Sequence, residues 1–397
     1  MSIFNIIDNH EGLETNMKHL GIKYFNNKET GLTLLKYDQS NKSKYNFDNP
    51  LVSFSRGLVF DSKTNKIVCI PPEKSLHIIP FSQMVGSENW LDVTIEEFID
   101  GTMINCFNHM GTWHISTRSY IGANCRGHSS KNYNKLFQEA KGDLDFEKLN
   151  IKYCYTFVLK HPENRIVKDH KVAGICLVQV REILDNSYND ISLIDVQTQL
   201  KEEGVDIVLP KRYTISKPEE INDLLSSMNY QEQGLMFKYN SKRSKVRTAE
   251  YENVKLLRGN NKNIFFNYIE LRKNGMLMEY LTYFPEFTTD FDNFRKNIEL
   301  TTMKLFNNYK EAYMYKKKNK KDIPFELRPL CYEMHGIYLS SKVKWDRQNV
   351  INFFNRLDNA RIVFVVNFEK NKKFNLETNT VDKTISNTVE TTLELSE

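Results

Sequence analysis

Between Leu51 and about Leu257 the apolar residues come in short runs, alternating or continuous, each bounded by turn residues. The clearest are Gly57–Ile70, Met103–Thr117, Tyr153–Lys160, Lys171–Ile183 and Gln233–Tyr239. Runs of this length predict β-strands, and Asp61–Lys66 and His109–Gly111 read as the turns between them. Helical periodicity interrupts at Asn132–Ala140, Leu193–Glu203 and Pro218–Met228. Residues 1–50 are polar and mixed, with one or two short helices expected around Leu13–Leu20. After Gly259 the period changes: Asn263–Tyr283, Phe291–Lys316, Pro324–Leu339 and Arg347–Leu357 all read as helix. The pattern predicts an α+β domain built on antiparallel sheets over 1–258, a helical domain over 259–370 and a disordered tail over 371–397.

Composition narrows the class. The 397 residues are 40% hydrophobic and 12% aromatic, enough for a sizeable core. The net charge of +5 is a mild positive bias that permits an anionic partner. No run approaches the length of a membrane span, and the start, MSIFNIIDNHEGLE, lacks the regions of a signal peptide. A cytoplasmic protein is expected. The six cysteines are far apart with no CxxC pair, so reduced thiols are expected rather than a structural zinc site. No P-loop and no HExxH occur, and no metal site is assigned from spacing.

Six segments carry candidate chemistry. Arg56-Gly57 opens a hairpin, and Lys74 follows a proline turn beyond it. Glu97-Phe98-Ile99-Asp100-Gly101-Thr102 reads as a turn between strands. Ser116-Thr117-Arg118 ends a strand with a cation, and Tyr155–Lys160 runs into Pro162-Glu163-Asn164-Arg165. Gln233-Gly234-Leu235-Met236-Phe237-Lys238 precedes Lys245-Val246-Arg247. On a strand Lys245 and Arg247 share a face, and residues 238–247 hold five basic side chains. Cations at strand ends are suited to gripping phosphate, although each segment alone also fits an ordinary hairpin with solvated charges.

In order and spacing these segments resemble the motifs of the nucleotidyltransferase superfamily of ATP-dependent ligases and capping enzymes. They are most similar to the RNA ligase of T-even phages and ligase-like proteins of large DNA viruses. The resemblance spans about Phe54 to Tyr251 and implies a ligase-type nucleotidyltransferase fold with ATP and Mg²⁺ as cofactors of any activity. It implies nucleotide or phosphate contacts at Arg56, Lys74, Gly101, Arg118, Gly234, Lys245 and Arg247, and a catalytic-site place for Asp100. Three positions depart from the family pattern. Phe98 stands where the family has the lysine that becomes adenylylated, and a phenyl ring has no nucleophilic atom. Val158 and Gln233 stand where the family has carboxylates, and an amide is a poor ligand for a hard cation.

Three readings follow. The chain is an active RNA ligase with a replacement nucleophile, for which Lys160 is the candidate because it shares a strand face with Val158. It is a ligase-fold protein that binds nucleotide or RNA (or DNA) ends without catalysis. Or it is a structural viral protein that kept the fold. The cationic segments, with Lys316–Lys321 as a second contact, predict salt-sensitive nucleic-acid binding. Oligomeric state is not legible.

Overall fold

The computed structural model describes residues 2–8, 13–38, 45–369 and 372. The tail expected at 371–397 lies outside them, except for Lys372. By internal contacts the chain divides into two compact units, Met1–Arg258 and Gly259–Glu397.

The first unit holds three sheets in which every strand pairing is antiparallel. One is a meander of β1 (Ile22–Asn27), β2 (Leu32–Tyr37), β3 (Arg56–Asp61) and β4 (Ile67–Cys69). β5 (Thr94–Glu97) belongs to another sheet. β6 (Thr102–His109), β7 (Thr112–Thr117), β8 (Tyr153–Lys160), β9 (Gly174–Ile183) and β10 (Tyr188–Ile191) form the largest sheet, in the order β10-β9-β8-β6-β7. β11 (Arg212–Tyr213), β12 (Gly234–Tyr239) and β13 (Lys242–Arg247) join β5 in the order β11-β5-β12-β13.

The first sheet and the largest share an apolar cluster, in which Leu34, Val59 and Cys69 meet Phe107 and Cys154. Ile104, Phe157, Leu177 and Val180 of the largest sheet pack on Leu136 and Phe137 of the helix Tyr133–Ala140. Asn132 caps that helix, its side chain accepting from the Lys135 N–H. Leu235 and Phe237 of β12 pack with Phe81 and Trp90. The hairpin between β12 and β13 turns on Asn240 and Ser241, both with positive φ, the geometry that matches strand twist in a two-residue loop. That turn fixes the register that puts Lys245 opposite Met236 and Arg247 opposite Gly234.

Sequence reading located the helix Leu13–His19 but not β1 and β2. β1 buries only Ile22, and in β2 the four successive residues Leu32, Thr33, Leu34 and Leu35 are buried whichever face they point to. The span read as one helix, Asn263–Tyr283, is two, Ile264–Lys273 and Leu277–Tyr283. The break falls at Gly275, which adopts φ +72°.

The second unit is helical throughout its described part. Phe265, Tyr268, Tyr280, Phe284 and Phe291 form its aromatic interior, and the helix Thr288–Tyr309 runs through it. Among the described residues no helix is long and apolar enough to cross a membrane.

Candidate anion-binding site

The strand β5 ends at Glu97, and the next residue is Phe98, which the motif resemblance sets where the family has its lysine. The Phe98 N–H donates to the Gly234 carbonyl at 2.9 Å, tying it to the start of β12. Gly234 has φ +130°, and a Cβ there would lie 2.1 Å from the Val246 carbonyl oxygen. Only glycine lets β13 pass this close. As a result β13 lays two cations over the Phe98 ring: Lys245 Nζ stands 5.4 Å from its centroid and the Arg247 guanidinium 5.3 Å. Both distances are within cation–π range.

Gln233 locks this arrangement from the side. With its amide oriented to satisfy both neighbours, its nitrogen donates to the Ile99 carbonyl and its oxygen accepts from Arg247 Nε, each at 3.0 Å. A carboxylate at 233 would have no proton to give Ile99. Arg247 also pairs with Glu252 at 3.2 Å.

Arg56 and Arg118 meet over Tyr37. Arg56 donates to the Tyr37 hydroxyl at 3.0 Å, and the Arg118 guanidinium lies 5.5 Å from the Tyr37 ring centroid. Gly57, at φ +105°, permits the approach, because a Cβ there would sit 3.0 Å from the Arg118 Cα. Lys74 Nζ lies 5.3 Å from the Phe47 ring centroid and donates to the Ser75 carbonyl.

These cations act on one another. Burial pushes the Lys245 ammonium down to about 6, and Arg247, Arg56, Lys74 and Arg243 push the same way. Burial, followed by Arg56, lowers Arg118. Arg56 Nε and Arg118 Nη1 are buried with no hydrogen-bond partner. Among the described residues no carboxylate lies within ion-pair distance of Arg56, Arg118 or Lys245. Beneath them Arg243 donates to the Glu73 and Pro72 carbonyls, and burial pushes it down to about 9. The Glu73 carboxylate is taken by Arg181 at 3.0 Å. The structure therefore gathers Arg56, Lys74, Arg118, Lys245, Arg247 and Phe98 in one neighbourhood. Sequence reading missed Tyr37 and the individual role of Arg243; Tyr37 lies in a stretch that gave no strand signal.

The turn after Phe98 does other work. Asp100 is buried, and its Oδ2 accepts from the Val167 and Lys168 N–H groups at 3.0 and 2.7 Å. Its carbonyl contacts His170 Nε2 at 2.9 Å. Burial raises the Tyr251 phenol, and the Asp100 charge adds to that. Gly101 faces β8: a Cβ there would lie 2.4 Å from the Leu159 carbonyl and 2.7 Å from Val158 Cγ1. Val158 and Lys160 are both half-buried while Leu159 between them is buried, consistent with a shared face. Lys160 lies opposite Gly174, and its charge acts on His170 and Cys176.

Hard-cation ligands are scarce here. Val158 and Gln233 offer no carboxylate, Asp100 holds backbone amides, and Glu97 faces Lys168 at 3.5 Å. The residues present do not fit a divalent ion at those positions. Elsewhere Glu139, His161 and Glu163 bring ligand atoms within 4.8 Å of one another, but Lys131 Nζ contacts both carboxylates at 2.9 and 2.5 Å and supplies the positive charge.

No protein-family model matches the chain. It is similar to an RNA ligase of Rhodothermus phage RM378, 26% identical over 165 residues, which are 35% of this chain and 36% of that protein. The match thus spans about a third of the phage protein's length. Among solved structures it aligns with an archaeal ATP-dependent RNA ligase (TM-score 0.44, 14% identity, 74% of this chain and 75% of that one). It also aligns with a Naegleria gruberi RNA ligase with PPi (TM-score 0.34, 14% identity, 46% and 57%). Nothing further rests on these two scores. The phage match agrees with the motif resemblance, which points to the ligase-type nucleotidyltransferases. The architecture, α+β with antiparallel sheets and a helical C-terminal region, is the one that resemblance implies. Within that class the chain is similar to RNA ligases in particular.

Proposed function

We propose that the chain is a ligase-fold protein that binds the phosphates of a nucleotide such as ATP, or of a nucleic-acid end, without forming a covalent adenylate. The observation that carries this reading is the Phe98 ring held under Lys245 and Arg247. The amine that would attack an α-phosphate is replaced by an inert ring, while the cations around it remain, and among the described residues Arg56, Arg118 and Lys245 have no carboxylate within ion-pair distance. Buried cations without counterions are costly, and a bound polyphosphate would supply the missing charge. Arg56, Lys74, Arg118, Lys245 and Arg247 would hold the phosphates. Asp100 is a positioning residue that pins the Val167–Lys168 backbone. Residues 1–258 form the nucleotidyltransferase-like domain and 259–370 the helical one.

A second reading, Lys160 as a substitute nucleophile, has behind it only that Lys160 and Val158 share a face of β8. The test is thermal unfolding with ATP, GTP and inorganic tripolyphosphate. Each should raise Tm, because a ligand that binds only the folded state stabilises it. The rise should disappear in Arg56→Ala and shrink in Arg247→Ala. Equal shifts in all three proteins, or no shift in any, would refute the reading.

A further inference from the structure

The helical unit carries a second set of cations that the site above does not use. On the helix Arg328–Ser341, Tyr332, His335 and Tyr338 recur every third residue and so follow one face. The chain Lys310–Met314 winds as a single π-helical turn, a geometry frequent at functional sites. Tyr313 of that turn lies 4.4 Å from the His335 ring centroid and 6.3 Å, edge-on, from Tyr332. His335 in turn stacks on Tyr338 at 6.0 Å and 22°. The row is closed by lysines: Lys320 Nζ stands 4.8 Å over Tyr313, and Lys342 Nζ 5.7 Å over Tyr338.

This face is available. Tyr332 is 52% exposed and Tyr338 39%. The Tyr313 hydroxyl and His335 Nδ1 are buried without hydrogen-bond partners. Burial and Lys320 lower the His335 pKa, which favours a neutral ring with one donor and one acceptor. The loop Lys316–Lys321, to which Lys320 belongs, holds five lysines, and none is within ion-pair distance of a carboxylate among the described residues. The nearby Glu333 is taken by Arg361 at 2.8 Å.

We propose that this face binds single-stranded nucleic acid, bases stacking on the exposed Tyr332 and Tyr338, which Tyr313 and His335 support from beneath, and phosphates lying on Lys342 and the Lys316–Lys321 loop. Aromatic planes flanked by lysines suit a strand whose bases are unpaired, because a duplex hides the base faces that would stack. An acidic protein would satisfy the lysines but gives no reason for a row of stacked rings. The inference is independent of the anion site in the first unit.

The experiment is fluorescence anisotropy on the full chain, with a short labelled oligouridylate, its deoxythymidylate counterpart and a duplex of equal length. Both single strands should bind more tightly than the duplex, and a ribose preference would identify RNA as the source. Tyr332→Ala with Tyr338→Ala should weaken single-strand binding about tenfold or more. Tyr338→Phe should retain it. Lys320→Ala with Lys342→Ala should flatten the dependence of affinity on salt, since fewer counterions are released. Both tyrosines are exposed, so their replacement does not threaten the fold.

Binding unchanged by the tyrosine pair would overturn the proposal. So would equal affinity for the duplex. Loss of binding only in Arg56→Ala would also overturn it, leaving the first-unit site as the sole contact. If neither single strand binds, the proposal fails and an acidic protein becomes the partner to seek.

Discussion

Lys245 Nζ stands 5.4 Å over the ring of Phe98, the residue that the motif resemblance sets in the nucleophile's place. Two of the three departures from the pattern that the resemblance implies, Phe98 and Gln233, are physically linked around this pair. Phe98 is covered by Lys245 and Arg247, and Gln233 joins Arg247 to the Ile99 carbonyl. Restoring one position leaves the others arranged for a ring and an amide.

Phe98→Lys should therefore remain unable to form an adenylate. At neutral pH, where Lys245 is largely uncharged, the substitution removes the Arg247 cation–π contact, worth about 0.5–1 kcal/mol. It also adds a cation beside Lys245 and Arg247. A loss of about 1–3 kcal/mol of stability is expected, readable by denaturant unfolding. A labelled, folded Phe98→Lys protein on a denaturing gel after incubation with labelled ATP would show that the lysine alone was lacking.

Stability should depend on pH through Lys245. Its pKa is about 6 in the folded chain against 10.5 for an ordinary lysine. Between those values the unfolded chain binds more protons, so stability rises with pH across that window. Below about 6 both states are protonated, and the cost of burying the charge is fully present. Lys245→Met should raise Tm at pH 7 by a few degrees, a gain of about 1–2 kcal/mol. That gain should fade as pH approaches 10. A gain independent of pH would assign the effect to packing instead.

Anion binding should show the complementary dependence. Phosphate beside Lys245 favours its charged form, so binding above pH 6 takes up a proton. Polyphosphate affinity should fall as pH rises above about 6 and flatten below it. In Lys245→Met the slope should disappear. Calorimetry in buffers of different ionisation enthalpy reads the proton uptake directly, and no uptake at pH 7 would contradict the assignment.

Gly234→Ala should cost more than about 2 kcal/mol, since it imposes a strained φ and a clash with the Val246 carbonyl. Denaturant unfolding checks this, and a loss under half that value would mean β13 can shift away.

Arg56, Arg118, Lys245 and Arg247 were legible because each sits at a strand end or on one face of a strand, where period-two alternation is strong, whereas Lys74 lies in the coil beyond β4. Lys245 and Arg247 are the clearest case: their spacing placed them on one face, and they share the Phe98 ring. Tyr37 was not legible, because β2 buries Leu34 and Leu35 in succession and hides the alternation. Nor was the part played by Asp100, whose amide contacts at Val167 and Lys168 are distant in sequence. The row Tyr313–His335–Tyr338 depends on a π-helical turn that no periodicity announces.

The central claim is retention of phosphate without a covalent bond, and labelled ATP tests it in one experiment read twice. The protein is incubated with α-labelled ATP and Mg²⁺ or Mn²⁺, and the label is counted on a native filter and again after denaturing electrophoresis. The account predicts label on the native filter, reduced in Arg56→Ala, and none on the denatured chain. Label that survives denaturation, at Lys160 or any other residue, would contradict it, and so would a native filter with no label.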